Sequence, residues 1–250
     1  MSAAHEPWLA SLSDGAGFDG ALFDLDGVLT PTAEVHMRAW HVMFTDYFTS
    51  HGITPPYTEA DYFAHVDGKP RYDGVWSCLA SRSVTIPEGD PSDSPGTESV
   101  CGLGNTKNAM FDRLLAEEGV AAYPGSLTLL DVLAAQGVKM AVVSSSRNAQ
   151  AVLAAAGIAQ RFPVVVDGTV AGREGLQGKP AGDMFVYAAR QLGVPVERAV
   201  VLEDAVSGVA AGKHGGFGLV VGVDRGAGAE ALLEAGATVV VRDLAELVSR

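Results

Sequence analysis

A doubly wound parallel α/β sheet interrupted by a helical insert is the fold this sequence predicts, and three observations predict it. Short, uniformly apolar runs bounded by Gly, Asp or Ser recur along the chain, as suits strands covered on both faces. Helical patterns fill most of the intervals between them, the alternation that builds an open parallel sheet. One interval, from Phe23 to Met140, contains no such run; it is too long for a loop in a compact domain, so it holds a domain of its own.

The strand candidates are residues 21–23, 140–143, 164–166, 199–202, 219–223 and 238–241. Helices are expected over 126–136, 149–156, 183–192, 207–214 and 227–235. In the insert, Met37, Trp40, Phe44, Tyr47 and Phe48 recur at helical spacing and form one apolar face. Further helices are expected at 62–66, 75–79 and 110–115, and the Pro-, Asp-, Ser- and Gly-rich stretch 83–100 reads as a loop. The expected organisation is a Rossmann-like α/β core over 1–33 and 119–250, with an inserted α-helical cap over 34–118.

Composition removes several classes of function. With 30 acidic against 17 basic residues, the formal charge is −13, the opposite of the basic face that nucleic acid requires. Two cysteines, Cys78 and Cys101, imply no disulfide framework and suit a reducing compartment. The N-terminal stretch lacks a basic segment followed by an apolar run, so no secretory signal is expected. No segment is long and apolar enough to span a bilayer.

The residues that carry chemistry sit at successive strand ends. Asp24 and Asp26 leave the first strand two residues apart. Two carboxylates so placed can converge on one centre, one as nucleophile and the other moving a proton; as turn formers they would do neither. Ser144, Ser145, Ser146, Arg147 and Asn148 follow the second strand and offer hydroxyls and N–H groups at a helix start, as an anion site does; a plain N-cap is the alternative. Lys179 stands between a loop and a helix, where an isolated lysine is usually solvated. Glu203 and Asp204 end the fourth strand and offer hard oxygen ligands to a cation, or a helix cap.

Taken together and in this order, Asp-x-Asp, Ser, Lys and an acidic pair resemble the haloacid dehalogenase superfamily over about residues 18–34 and 119–250. The resemblance implies phosphoryl transfer with Asp24 as nucleophile and Asp26 as general acid/base. Ser144 and Lys179 would hold the transferring group. Mg²⁺ would be bound by Asp24, Asp204 and the Asp26 carbonyl, assisted by Glu203. A cation and a lysine at the equatorial oxygens are what an aspartate needs to approach a phosphate.

A second set of residues is similar to the β-phosphoglucomutase-like subfamily. It comprises the run Thr32-Ala33-Glu34-Val35-His36-Met37-Arg38-Ala39-Trp40, the segment 144–148, the segment Gly104-Asn105-Thr106-Lys107-Asn108, and the segment ending in Arg71. Pro31, Lys69, Pro70 and Arg147 depart from that pattern. The resemblance implies a catalytic role for His36, contact of Lys107 with sugar hydroxyls, and a distal phosphate site made of Arg71, Ser146, Arg147 and Asn148. An arginine fork suits that site.

Two enzymatic readings share the first half-reaction: a mutase converting β-glucose 1-phosphate to glucose 6-phosphate through the 1,6-bisphosphate, and a sugar-phosphate phosphatase. In the mutase, closure of the cap would keep water out while the bisphosphate reorients. A phosphorelay receiver domain is the non-enzymatic alternative; its phosphorylated Asp lies later in a chain of about half this length. The expected partner is a small-molecule sugar phosphate, with no nucleic acid and no membrane, for a monomeric cytoplasmic enzyme.

Overall fold

The structure is a computed structural model that describes residues 17–248. The N-terminal stretch in which no secretory signal is expected lies, up to residue 16, outside the described residues. Contacts divide the chain into two units: the residues up to Pro31 together with those from Ala121 onward, and Thr32–Val120.

The first unit is built on six parallel strands: β1 (Gly20–Phe23), β2 (Lys139–Val143), β3 (Val164–Val166), β4 (Ala199–Glu203), β5 (Leu219–Val223) and β6 (Val239–Val241). Their order is β3-β2-β1-β4-β5-β6. The chain winds outward from β1 through β2 to β3, then returns to the other side of β1 and proceeds to β6. The point of reversal lies beside β1, and open sheets of this kind form their sites there, at the carboxyl ends of the strands. Every residue of β1, β4 and β5 is buried, which accounts for their unbroken apolar runs.

Helix Asp183–Leu192 shows how the covering layer is specified. Met184, Phe185, Ala188, Ala189 and Leu192 recur on one face and are buried, joining Leu22, Val143 and Val201 in one core. Gly193, at φ 65°, ends the helix in a left-handed turn. Helix Gly168–Glu174 was not foreseen, because its sequence Gly-Thr-Val-Ala-Gly-Arg-Glu has no periodic apolar face. Its start is set by Asp167, whose Oδ1 accepts from the N–H groups of Thr169 and Val170, both at 2.9 Å.

In the second unit we label the three main helices α1 (Thr32–His51), α2 (Arg71–Ala80) and α3 (Val100–Glu118). Trp40, Phe44, Tyr47 and Phe48 of α1 are buried in a core with Tyr57, Val75, Leu79 and Leu103, and Met37 packs at its edge. Ring centroids lie 5.5 Å apart for Trp40–Phe44 and 4.9 Å for Phe44–Tyr57. Helix α3 begins ten residues earlier than its apolar pattern suggests. Gly102, Gly104, Asn105 and Asn108 are poor helix formers that tertiary contacts nevertheless place there. Residues 62–66 form a π-helical turn.

Segment 83–99 contains neither helix nor strand, yet it is tied to α3. The N–H groups of Val100 and Cys101 donate to the carbonyls of Pro87 and Glu88 at 2.9 and 3.0 Å. The Ser99 hydroxyl donates to Asp93 at 2.5 Å, and Gly96 N–H donates to Thr106 at 2.7 Å.

A half-buried ion pair braces this unit. Arg82, its side chain only 3% exposed, donates to Asp61 at 2.7 Å and stacks 4.8 Å over the Phe48 ring. Burial pushes the Asp61 carboxyl up, but hydrogen bonds from Arg82 and Thr58 outweigh it and hold the group below the usual carboxylate range. Its stabilisation is therefore present above the unfolded value and lost as pH falls through the lower folded one. Asp61→Ala leaves the guanidinium on the Pro55 and Pro56 carbonyls and the Ser81 hydroxyl, and is expected to cost about 1–2 kcal/mol at pH 7. Urea unfolding at pH 7 and at about pH 3.5 checks this; an undiminished deficit at the acid pH would rule out an electrostatic origin.

Candidate active site

Asp24 follows β1 directly, its N–H donating to the Leu202 carbonyl at 2.9 Å. The turn after it brings Asp26 beside Thr30, with Gly27 N–H bonded to the Thr30 carbonyl at 2.8 Å. Gly27 is required twice over. Its φ of 81° is left-handed, and a Cβ there would lie 1.9 Å from Asp204 Oδ2. The Asp24–Asp26 turn and the acidic end of β4 therefore approach each other because one residue has no side chain.

Lys179, 3% exposed, points into this centre. Its ammonium donates to Asp24 Oδ1 at 2.6 Å, to the Val143 carbonyl at 3.1 Å and to Glu203. The other Glu203 oxygen accepts from Ala205 N–H at 2.9 Å. Glu203 fits only because Gly208 lacks a side chain; a Cβ there would lie 1.7 Å from Oε1. The Ser144 hydroxyl donates to Asp26 Oδ2 at 3.4 Å and accepts from Ser146 N–H at 3.1 Å. Ser146 Oγ accepts from Asn148 N–H at 3.1 Å. Arg147 is exposed at this turn, and Asn148 is half-buried.

The electrostatics are unbalanced. Burial pushes the Asp24 carboxyl well above the usual carboxylate range; Lys179 opposes this, while Glu203 and Asp26 add to it. Burial also disfavours the Lys179 charge, but Asp24 and Glu203 outweigh it and hold the ammonium above the ordinary lysine range. Asp24 and Glu203 share the Lys179 ammonium, with Asp26 and Asp204 close by, and a divalent cation would ease this crowding of carboxylates. Oxygens of Asp24, Glu203 and Asp204 lie within 4.8 Å of one another. Three carboxylates so close together are the oxygen donors a hard divalent ion such as Mg²⁺ takes. The side chain of Asp26 is not in that group.

The remaining sequence candidates belong to the second unit. There Lys107, 4% exposed, donates to His36 Nδ1 and lies 5.0 Å from the Trp40 ring and 5.1 Å from the Phe111 ring. His36 stacks on Phe111 at 4.0 Å. An ammonium only donates, so Nδ1 is the acceptor and the neutral imidazole carries its proton on Nε2. Arg71 donates to Asn105 at 3.1 Å and to Asn108 at 2.5 Å.

Sequence reasoning missed Arg225. Its Nε donates to the Gly27 carbonyl at 2.9 Å and its guanidinium lies 4.1 Å over the Tyr123 ring, so it steadies the Asp24–Asp26 turn from β5's end. A single arginine after a strand carries no local signal of this.

A buried Asp–Lys–Glu centre at the reversal point of a parallel sheet matches a known family: residues 18–216 fit the model described as haloacid dehalogenase-like hydrolase, and the chain belongs to that family. It is an enzyme of the β-phosphoglucomutase-like kind. It is 48% identical over 236 residues to a β-phosphoglucomutase of Mycobacterium bovis, covering 91% of this chain and 90% of that one. It is 37% identical over 129 residues to a trehalose-phosphate phosphatase of Mycobacterium leprae, covering 50% of this chain and 28% of that one. Among solved structures, a mutant CbbY from Rhodobacter sphaeroides in complex with xylulose 1,5-bisphosphate superposes with a TM-score of 0.71 at 25% identity, covering 92% and 96% of the two chains.

Proposed function

We infer that the protein is a β-phosphoglucomutase, converting β-glucose 1-phosphate to glucose 6-phosphate through an aspartyl phosphate on Asp24. The observation that carries the mutase reading is Arg71, a guanidinium held in place by two asparagines, because a bisphosphate intermediate needs a cation for its second phosphate. The 48% identical relative supports it. So does a sugar bisphosphate bound to a relative of the same fold.

In this reading, phospho-Asp24 gives its phosphoryl group to the 6-hydroxyl of the substrate while Asp26 takes the hydroxyl proton. The bisphosphate reorients, the Asp24 carboxylate attacks phosphorus at the 1-position, and Asp26 returns the proton to the departing O1. Glucose 6-phosphate leaves and phospho-Asp24 is regenerated. Ser144 and Lys179 hold the transferring oxygens, and Lys179 offsets the charge of Asp24 as it approaches phosphorus. Asp24, Asp204 and the Asp26 carbonyl would hold Mg²⁺, with Glu203 assisting; the ion supplies positive charge against the phosphoryl oxygens. Arg71 is assigned to the distal phosphate, as are Ser146, Arg147 and Asn148; Lys107 serves the sugar hydroxyls, and His36 offers an Nε2 proton to the sugar. The enzyme is read as a cytoplasmic monomer, and Cys78 and Cys101 are buried and form no disulfide. Among the described residues no helix is long and apolar enough to cross a membrane.

Supplying β-glucose 1-phosphate, Mg²⁺ and a trace of glucose 1,6-bisphosphate, with glucose 6-phosphate and free phosphate measured separately, tests the reading. The mutase gives isomer with little phosphate. Phosphate without isomer would establish the phosphatase reading instead, which the partial match to a trehalose-phosphate phosphatase favours.

A further inference from the structure

The amide of Asn105 is fully used. Its Oδ1 accepts from Arg71 Nη1 and from the Tyr72 hydroxyl, both at 3.1 Å. Its Nδ2 donates to the carbonyls of Pro91 at 3.1 Å and Asp93 at 2.8 Å. Two acceptor and two donor positions are what an asparagine side chain offers, and all four are filled. Exchanging its oxygen and nitrogen would put an N–H group against the Arg71 guanidinium, which only donates, and the oxygen against two carbonyls, so the orientation is determined by its partners. Helix α3 comes close enough for this at Gly104, where a Cβ would lie 2.8 Å from the Tyr72 ring and 3.1 Å from Arg71 Cδ. The 83–99 segment is itself braced at the same point: Asp93 Oδ2 accepts from Ser99 Oγ at 2.5 Å and from Asp90 N–H at 3.1 Å.

We propose that Asn105 is a positioning residue for the distal phosphate: it ties Arg71 to the 83–99 segment and makes that segment a specificity element for doubly phosphorylated sugars. The proposal rests on the reading of Arg71 as the distal-phosphate cation. A free arginine side chain loses rotamer entropy on binding an anion; one already held by Asn105 and Asn108 loses less, which favours the substrate with a second phosphate over a small monophosphate.

The test compares kcat/KM for β-glucose 1-phosphate, with glucose 1,6-bisphosphate present, against kcat/KM for p-nitrophenyl phosphate, which has no distal group. The proteins are wild type, Arg71→Ala, Asn105→Ala and the double variant. Arg71→Ala should lose about 100-fold on the sugar phosphate and far less on the aryl phosphate, as removal of a charged hydrogen-bond partner does. Asn105→Ala should lose about tenfold with the same selectivity, mainly through KM for the sugar phosphate and the bisphosphate. The double variant should be no worse than Arg71→Ala, because Asn105 acts through Arg71. Losses that multiply, or an unselective loss in Asn105→Ala beside a selective one in Arg71→Ala, would overturn the proposal alone. An unselective loss in Arg71→Ala would overturn the distal-site reading and the proposal with it. Asn105→Asp guards against misfolding: it keeps acceptors for Arg71 and Tyr72 but sets a carboxylate against the two loop carbonyls. A selective loss there supports the role of the segment, and full activity would refute it.

Discussion

Asp24→Asn is expected to abolish turnover of both the sugar phosphate and an aryl phosphate, by about 10⁴-fold or more, as loss of a covalent nucleophile does. The fold should survive, because asparagine has the same shape and Asp24 is anchored through its backbone N–H to Leu202. The variant should be at least as stable as the wild type in the absence of metal. Burial already disfavours the Asp24 charge, and the amide removes that charge while its Oδ1 can still accept from Lys179. Residual turnover within tenfold of wild type would remove the covalent mechanism.

Lys179→Met is the second large effect, and it falls on both catalysis and stability. Loss of the ammonium that offsets Asp24 should lower kcat by about 10³-fold. It also leaves Asp24 and Glu203 buried without their cation, at a cost of about 3–5 kcal/mol. The pH dependence follows from the directions of the shifts. The Lys179 value is raised on folding, so its contribution is fully present below the unfolded lysine value and lost only as pH rises through the folded one. The Asp24 value is also raised, so protonation of that carboxyl favours the folded state. In the variant this effect dominates, and the stability deficit measured by urea unfolding in EDTA should be smaller at pH 5 than at pH 8. Equal deficits would mean that the loss is one of packing, for instance against Phe185, whose ring lies 5.0 Å from the ammonium.

What could be read in the sequence divides according to distance along the chain. Asp24 and Asp26 were legible because the strand, the turn and the Gly that shapes it occupy eight consecutive residues. The sheet was legible because strands buried on both faces must be apolar throughout. Lys179 became legible only through its order among the strand ends; that it donates to the Val143 carbonyl and to Glu203 depends on where the sheet brings residues far apart in sequence. Arg225 carried no signal and Asn105 entered only as one letter of the 104–108 segment, since each acts through a partner tens of residues away or more: Asn105 on Arg71, Arg225 on Gly27. The first half of α3 was obscured because its glycines serve packing and not helix propensity. The 83–99 segment, polar and rich in Pro and Gly, gave no hint that its carbonyls are acceptors for an asparagine on that helix.

The covalent role of Asp24 is tested most directly by trapping it. The Mg²⁺-loaded enzyme is mixed with glucose 1,6-bisphosphate carrying labelled phosphate, quenched in acid within one turnover, and digested for peptide mapping. The account predicts one label per chain on the peptide containing Asp24, released by hydroxylamine and absent from Asp24→Asn. Full turnover with no labelled peptide, or with the label on another residue, would contradict it.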